Sequence, residues 1–97
     1  MPEEVTQAEL GMLGKILKLE SGRALFTVTL QAGEKLLDRY QDYGESWKEM
    51  SIEELRALLT KSIAKLDHGR DWERKLDGGI DAINYLVFLV TRGGAEL

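Results

Sequence analysis

The sequence predicts an all-α fold, a small four-helix domain that associates as an oligomeric bundle. Three observations favour helices throughout. The single proline stands at position 2, so no later residue would interrupt a helix by lacking its N–H. Apolar residues recur at spacings of three and four along most of the chain, which is the helical period. The ten glycines fall mostly where turns between helices are expected.

Size and composition indicate one compact domain over residues 1–97. Of the 97 residues, 43% are hydrophobic and 31% are charged, which is typical of a globular chain. A chain of this length buries only a thin core, so association with further copies would help to stabilise it. We therefore expect a homo-oligomer.

Composition also excludes several classes of protein. The absence of cysteine excludes disulfide frameworks and thiolate zinc sites, and one histidine leaves little scope for histidine-based metal centres. A net charge of -4 argues against binding to duplex nucleic acid. The longest apolar run, residues 85–90, is too short to cross a membrane, and no signal peptide pattern opens the sequence. We expect a cytoplasmic protein that does not bind membranes.

The first helix is predicted to begin after Thr6, because Thr6 and Glu9 have the spacing of a capping box. Its end is expected near Leu19, where Gly22 can adopt a left-handed conformation and stop the helix.

The second helix is predicted over residues 23–41. A seam of residues recurs there at spacings of four and three, as in a packed helix: Phe26, Leu30, Gly33, Leu37 and Tyr40. Residues 26–30 alternate between apolar and β-branched polar side chains, so a strand is the alternative for that segment.

Gly44 suits the C-cap of the second helix, and a structured loop should follow it. Ser51 and Glu54 form a second capping box, which predicts a third helix that ends near residues 67–69.

The fourth helix is predicted to begin between Asp71 and Gly79 and to end at residues 93–94. Every residue from 83 to 90 except Asn84 is apolar, so this helix should be covered nearly all the way round. It either lies at the centre of the bundle or joins subunits.

Asp77 and Asp81 are four residues apart, so both carboxylates project from one face of the fourth helix, and Asn84 continues that face. Such a row of oxygen ligands suits Mg²⁺. The structural alternative is that Asp77 caps the helix, Asp81 faces water and Asn84 bonds a nearby backbone group. An amide within an apolar segment is costly to bury unless it forms hydrogen bonds, which favours a specific role for Asn84.

Other residues could contribute to a nucleotide site. Lys61 and Lys65 form a pair on the third helix that could neutralise phosphates or the aspartates, or simply lie in solvent. Arg39 could reach the turn at Asp42 or lie in solvent. Trp47 could stack on a base, although aromatic residues in such loops more often belong to the core.

Two segments together resemble a known family. The first is Asp-Tyr-Gly at residues 42–44, followed by Ser46 and Trp47, and the second is Asp-x-x-x-Asp-x-x-Asn-Tyr at residues 77–85. This pattern resembles the helical nucleotide-modification-associated domain of phages and bacteria, over residues 23–90. That domain is similar in turn to the all-α nucleoside triphosphate pyrophosphohydrolases of the MazG and dimeric dUTPase type, which bind Mg²⁺ and a nucleotide triphosphate.

The resemblance implies that Asp77, Asp81 and Asn84 match the family's acidic helix and that Asp42, Tyr43 and Ser46 match its conserved turn. Together with the residues singled out above, this predicts metal at Asp77 and Asp81 and a nucleotide in contact with the following residues: Asp42, Tyr43, Ser46, Trp47, Lys61, Lys65, Asn84 and Tyr85.

The chain departs from the enzyme pattern at the partner helix. Pyrophosphohydrolases of this type use a Glu-x-x-Glu pair there, whereas residues 61–66 carry lysines, and Glu53 and Glu54 are adjacent. Gly78 and Gly79 also loosen the first turn of the acidic helix, where larger residues are expected. Binding without turnover is therefore an alternative to catalysis.

The favoured function is nucleotide binding in phage or prophage nucleotide metabolism. An enzyme would hydrolyse a nucleotide phosphoanhydride with Mg²⁺ held by Asp77 and Asp81, Asn84 orienting them, and Lys61 or Lys65 offsetting phosphate charge. No residue is identified as the general base or as otherwise catalytic. The alternatives are a non-catalytic oligomer that sequesters a nucleotide signal and a protein–protein interaction module.

Overall fold

The computed structural model describes residues 4–93, and within them the chain forms four α-helices and no strand. The prediction of an all-α fold with four helices is confirmed, and the strand alternative for residues 26–30 is wrong because they are helical. The helices are α1 (Gln7–Ile16), α2 (Glu20–Tyr43), α3 (Ile52–His68) and α4 (Trp72–Gly93), with a short 3-10 turn at Ser46–Lys48 between α2 and α3.

The chain divides into two compact units within α2, Met1–Leu30 and Gln31–Leu97. The domain organisation over residues 1–97 stays a prediction. In the first unit, the capping box predicted for α1 is confirmed. The Thr6 hydroxyl accepts the N–H of Glu9 at 3.1 Å, and the Glu9 carboxylate accepts the N–H of Thr6 at 2.8 Å.

The predicted boundary between the first two helices is wrong. α1 ends at Ile16, and α2 already begins at Glu20, so Gly22 lies inside α2 instead of stopping α1. Gly22 is buried, and a Cβ there would lie 1.8 Å from the carbonyl oxygen of Ile16. The glycine is needed for a close approach of backbone to backbone.

The other predicted helix ends are close to those observed. Gly44 has φ +55 and donates its N–H to Tyr40 O at 2.8 Å, so it caps α2 as expected. Ser51 and Glu54 form the capping box of α3. α4 begins at Trp72, where Asp71 accepts the N–H of Arg74 at 2.9 Å. Gly94, predicted to help end α4, lies outside the described residues.

In the second unit, α3 and α4 pack closely at Gly78. A Cβ at Gly78 would lie 2.7 Å from Ser62 O and 2.8 Å from Leu66 N, so only glycine allows this separation of the two backbones. The residue is buried in α4 rather than loosening the start of the helix.

Few apolar side chains are buried in this unit. Among the described residues, the buried hydrophobic ones are Ala32, Leu55 and Ile80, one from each of the three helices. The apolar second half of α4 is not covered all round in the protomer, because Leu86 and Val90 are exposed. Within residues 4–93, none of the helices combines the length and the hydropathy that a membrane span requires.

We expect Gly78→Ala to destabilise the protein by about 1–3 kcal/mol, because the added methyl group forces α3 and α4 apart. Gly79→Ala is the matched control, since its Cβ would make an ordinary contact, 3.6 Å from the side chain of Leu66. That control should be neutral or stabilising by up to about 1 kcal/mol through helix propensity. Urea unfolding measures both free energies, and equal effects of the two substitutions would contradict the close packing at Gly78.

Candidate functional site

A cluster of opposite charges joins α2 to α4. Lys35 and Arg39 are four residues apart on α2, and Asp77 and Asp81 are four residues apart on α4. The Lys35 ammonium contacts Asp77 Oδ1 and lies 2.6 Å from Asp81 Oδ1. Arg39 Nη2 lies 3.5 Å from Asp81 Oδ1, and Lys65 of α3 contacts Asp77 Oδ2. One lysine therefore lies between the two carboxylates.

Burial differs across this charge cluster. The side chain of Asp81 is 12% exposed and that of Lys35 is 21% exposed, whereas that of Asp77 is 42% exposed. Within residues 4–93, no group donates a hydrogen bond to Asp81 Oδ1. The negative charge of this carboxylate is instead offset by the nearby positive charges of Lys35 and Arg39. A buried carboxylate is costly without such compensation.

Asn84 makes a further connection between α2 and α4. Its Nδ2 donates to the carbonyl oxygen of Ala32 at 3.1 Å. The backbone contact considered from the sequence is thus present. The two other structural alternatives are wrong, because Asp71 caps α4 in place of Asp77 and because Asp81 is buried rather than facing water.

Beside the cluster, the end of α2, the following turn, α4 and Leu58 of α3 line an open cavity of about 400 Å³. Arg39, Asp81 and Asn84 supply charged and amide groups to its wall. Hydroxyl and aromatic groups supply much of the remainder: Tyr40, Tyr43, Ser46, Trp47, Tyr85 and Phe88.

The turn that closes this cavity is fixed by side chains. The ring of Trp47 stacks on Phe88 with 4.9 Å between centroids and 7° between planes. Trp47 Nε1 donates to Glu45 Oε2 at 2.5 Å. From α4, Arg92 Nη1 donates to Trp47 O at 3.0 Å and also to Met50 O. These contacts hold the aromatic wall against α4.

The structure separates the predicted site residues into three groups. Those that line the cavity are Tyr43, Ser46, Trp47, Asp81, Asn84 and Tyr85. Asp77 and Lys65 pair with each other in the charge cluster, outside the cavity wall. Asp42 and Lys61 are exposed and do not line the cavity.

Sequence reasoning missed Lys35 and left the partner of Arg39 open. The sequence does contain a pattern that could have indicated these contacts. Two cations at positions 35 and 39 have the same spacing of four residues as two carboxylates at positions 77 and 81. Such pairs on two facing helices can meet side chain to side chain.

The donor set fits Mg²⁺ poorly as it stands. Both carboxylates contact the Lys35 ammonium, which lies where a bridging cation would be needed. No group of three or more histidine, aspartate or glutamate residues suited to a metal ion occurs in the part of the chain that the structure describes. Magnesium at Asp77 and Asp81 stays a prediction, and it requires Lys35 to withdraw.

Comparisons of the chain with protein-family models, with curated proteins and with solved structures return no match.

We expect the charge cluster to make stability depend on pH. Hydrogen bonds from Lys35 and then Lys65 lower the pKa of Asp77 from 3.8 to about 2. Because the folded pKa is the lower one, this stabilisation is present above pH 3.8 and is lost as the pH falls towards 2. Screening by water at this partly exposed group should limit it to about 1 kcal/mol.

Urea unfolding between pH 6 and pH 2 measures this dependence, and Asp77→Asn should flatten it relative to the unchanged chain. Asp67→Asn, at an exposed position near the end of α3, is the control and should leave it intact. The same acid dependence in the Asp77→Asn variant and in the unchanged chain would contradict the pairing.

Proposed function

We propose that the cavity binds a nucleotide, with the phosphate at Arg39 and the base against the aromatic wall. The observation that carries the proposal is one guanidinium beside several aromatic rings around a space of about 400 Å³. Sites for small molecules typically enclose about 300–1,000 Å³ and combine apolar walls with a few polar groups. The resemblance to nucleotide-modification-associated domains favours the same ligand class.

Arg39 is suited to phosphate because it is held in place but only partly engaged. Its single ion pair among residues 4–93 is the 3.5 Å contact with Asp81, and its side chain is 45% exposed. A guanidinium carries five N–H donors in a planar fork that matches phosphate oxygens. Most of these donors remain for a ligand.

The aromatic wall is suited to a base. Trp47 uses one face of its ring against Phe88, which fixes its orientation, while Tyr43 is well exposed. Stacking of a base on such rings contributes about 1–3 kcal/mol and tolerates any base.

The balance of charge favours binding without a metal. Lys35, Arg39 and Lys65 bring three positive charges to two carboxylates, Asp77 and Asp81, so one positive charge is in excess. Lys35 already supplies the positive charge that Mg²⁺ would bring to these carboxylates. A non-catalytic binder is therefore the form of the proposal that the geometry favours over a hydrolase.

Tryptophan fluorescence tests the proposal directly. The chain has two tryptophans, Trp47 in the cavity wall and the exposed Trp72, so Trp72→Phe leaves Trp47 as the reporter. We expect saturable changes on titration with nucleoside mono- and triphosphates in the absence of Mg²⁺. Ribose 5-phosphate and unphosphorylated nucleosides should bind more weakly, because each lacks half of the recognised groups.

In the same background, Arg39→Gln should weaken nucleotide binding by about tenfold or more, as expected for a lost charge-assisted hydrogen bond. Arg56→Gln, at an exposed position of α3 outside the cavity, is the matched control and should bind normally. Absence of saturable binding by every nucleotide at millimolar concentration would overturn the proposal. Release of pyrophosphate on adding Mg²⁺ would replace the binder with the hydrolase.

A further inference from the structure

The second halves of α2 and α4 also border an apolar groove of about 440 Å³. It shares some wall residues with the cavity, Trp47 and Phe88 among them, but it is lined in addition by Leu37, Val87 and Thr91. Its one charged lining residue among those described is Glu45, which is bonded to the indole of Trp47.

Large apolar side chains surround this groove and remain open to solvent. Leu37 is 71% exposed and Val87 is 53% exposed. Helical spacing places each on a common face of its helix with further exposed apolar residues. The whole set, which we name the α2–α4 face, is Leu36, Leu37, Tyr40, Leu86, Val87 and Val90.

The core within the protomer is too small to leave this face uncovered. Among the described residues, Ala32, Leu55 and Ile80 are the buried hydrophobic ones. Half-buried apolar side chains such as Leu58, Leu59 and Leu89 add to this core, but apolar burial within the protomer is small for the entropy of ordering a chain of this length. A partner that covers the face would add to this burial, and a second copy is the one partner that is always available in equal amount.

The area and charge of the α2–α4 face agree with such a partner. A free apolar or aromatic side chain offers on the order of 150 Å², so the six at their observed exposures leave roughly 500 Å². A standard interface buries about 800 Å² on each partner, and in homodimers about 65% of it is apolar. Glu45 is the one charged residue among the described residues that line the groove, so a two-fold arrangement brings few charges to the centre of the interface.

We propose that the α2–α4 face is the interface with a second copy of this chain. It closes on itself about a two-fold axis and supplies the apolar core that one protomer lacks. The proposal does not depend on nucleotide binding.

Light scattering on size-exclusion chromatography tests this proposal with the full chain. We expect an oligomer at micromolar concentration, together with a melting temperature that rises with protein concentration. Leu37→Glu and Val87→Glu place one charge on each side of the groove and should shift the mass to that of the monomer. Ala64→Glu adds the same charge at an exposed position of α3 outside the groove and should leave the oligomer intact.

Leu37 and Val87 are not buried in the protomer, so a charge at either position should not unfold a monomer that is stable by itself. Loss of helix content in both groove variants but not in Ala64→Glu would therefore also support the proposal. A monomeric unchanged chain with a melting temperature independent of concentration would overturn it. An oligomer that persists in both groove variants would overturn it too, because the interface would then lie elsewhere.

Discussion

The placement of the second half of α2 against α4 depends on one ammonium group. Lys35 lies between the carboxylates of Asp77 and Asp81 and so holds the second half of α2 against α4. Because Asp81 is buried, removing Lys35 would leave its carboxylate with only Arg39, at 3.5 Å, to offset its charge away from water, which is costly. Apolar packing contributes little here, since the buried hydrophobic side chains among the described residues are few.

The same contacts shape the cavity. Asp81 holds Arg39 at its edge, and Asn84 ties α4 to the backbone of α2 at Ala32. Three of the groups that connect α2 and α4, Arg39, Asp81 and Asn84, therefore also give the cavity its polar wall. A ligand anion that attracts Arg39 would draw on the charge balance of Asp81, so ligand binding and helix anchoring are linked through one carboxylate.

Local signals in the sequence identify most helix ends, because a capping box or a left-handed glycine acts through residues close in the chain. Thr6, Ser51 and Gly44 are of this kind. Gly22 and Gly78 are of another kind, since each is required by a backbone that lies across from it. The sequence shows a glycine at each position but not the opposing backbone, so it predicts the start of α2 too late and predicts a loose first turn of α4 at Gly78.

The candidate site was predicted in part for the same reason. Spacing along α4 identifies Asp77, Asp81 and Asn84 as one face, and the sequence pattern at the end of α2 and in the turn after it indicates Tyr43 and Trp47. Spacing within one helix does not reveal which side chain of another helix lies opposite. Spacing therefore does not predict the contact of Lys35 with Asp77 and Asp81, and magnesium at these aspartates stays a prediction made without that lysine.

A double-mutant cycle between Lys35 and Asp81 is the most direct measurement of the central interaction. The free energies of unfolding of the unchanged chain, Lys35→Met, Asp81→Asn and the double variant are compared at pH 7. We predict a coupling energy of about 1–3 kcal/mol, with the double variant more stable than additivity of the single changes allows. A coupling energy of zero would show that the Lys35–Asp81 pair does not hold α2 to α4.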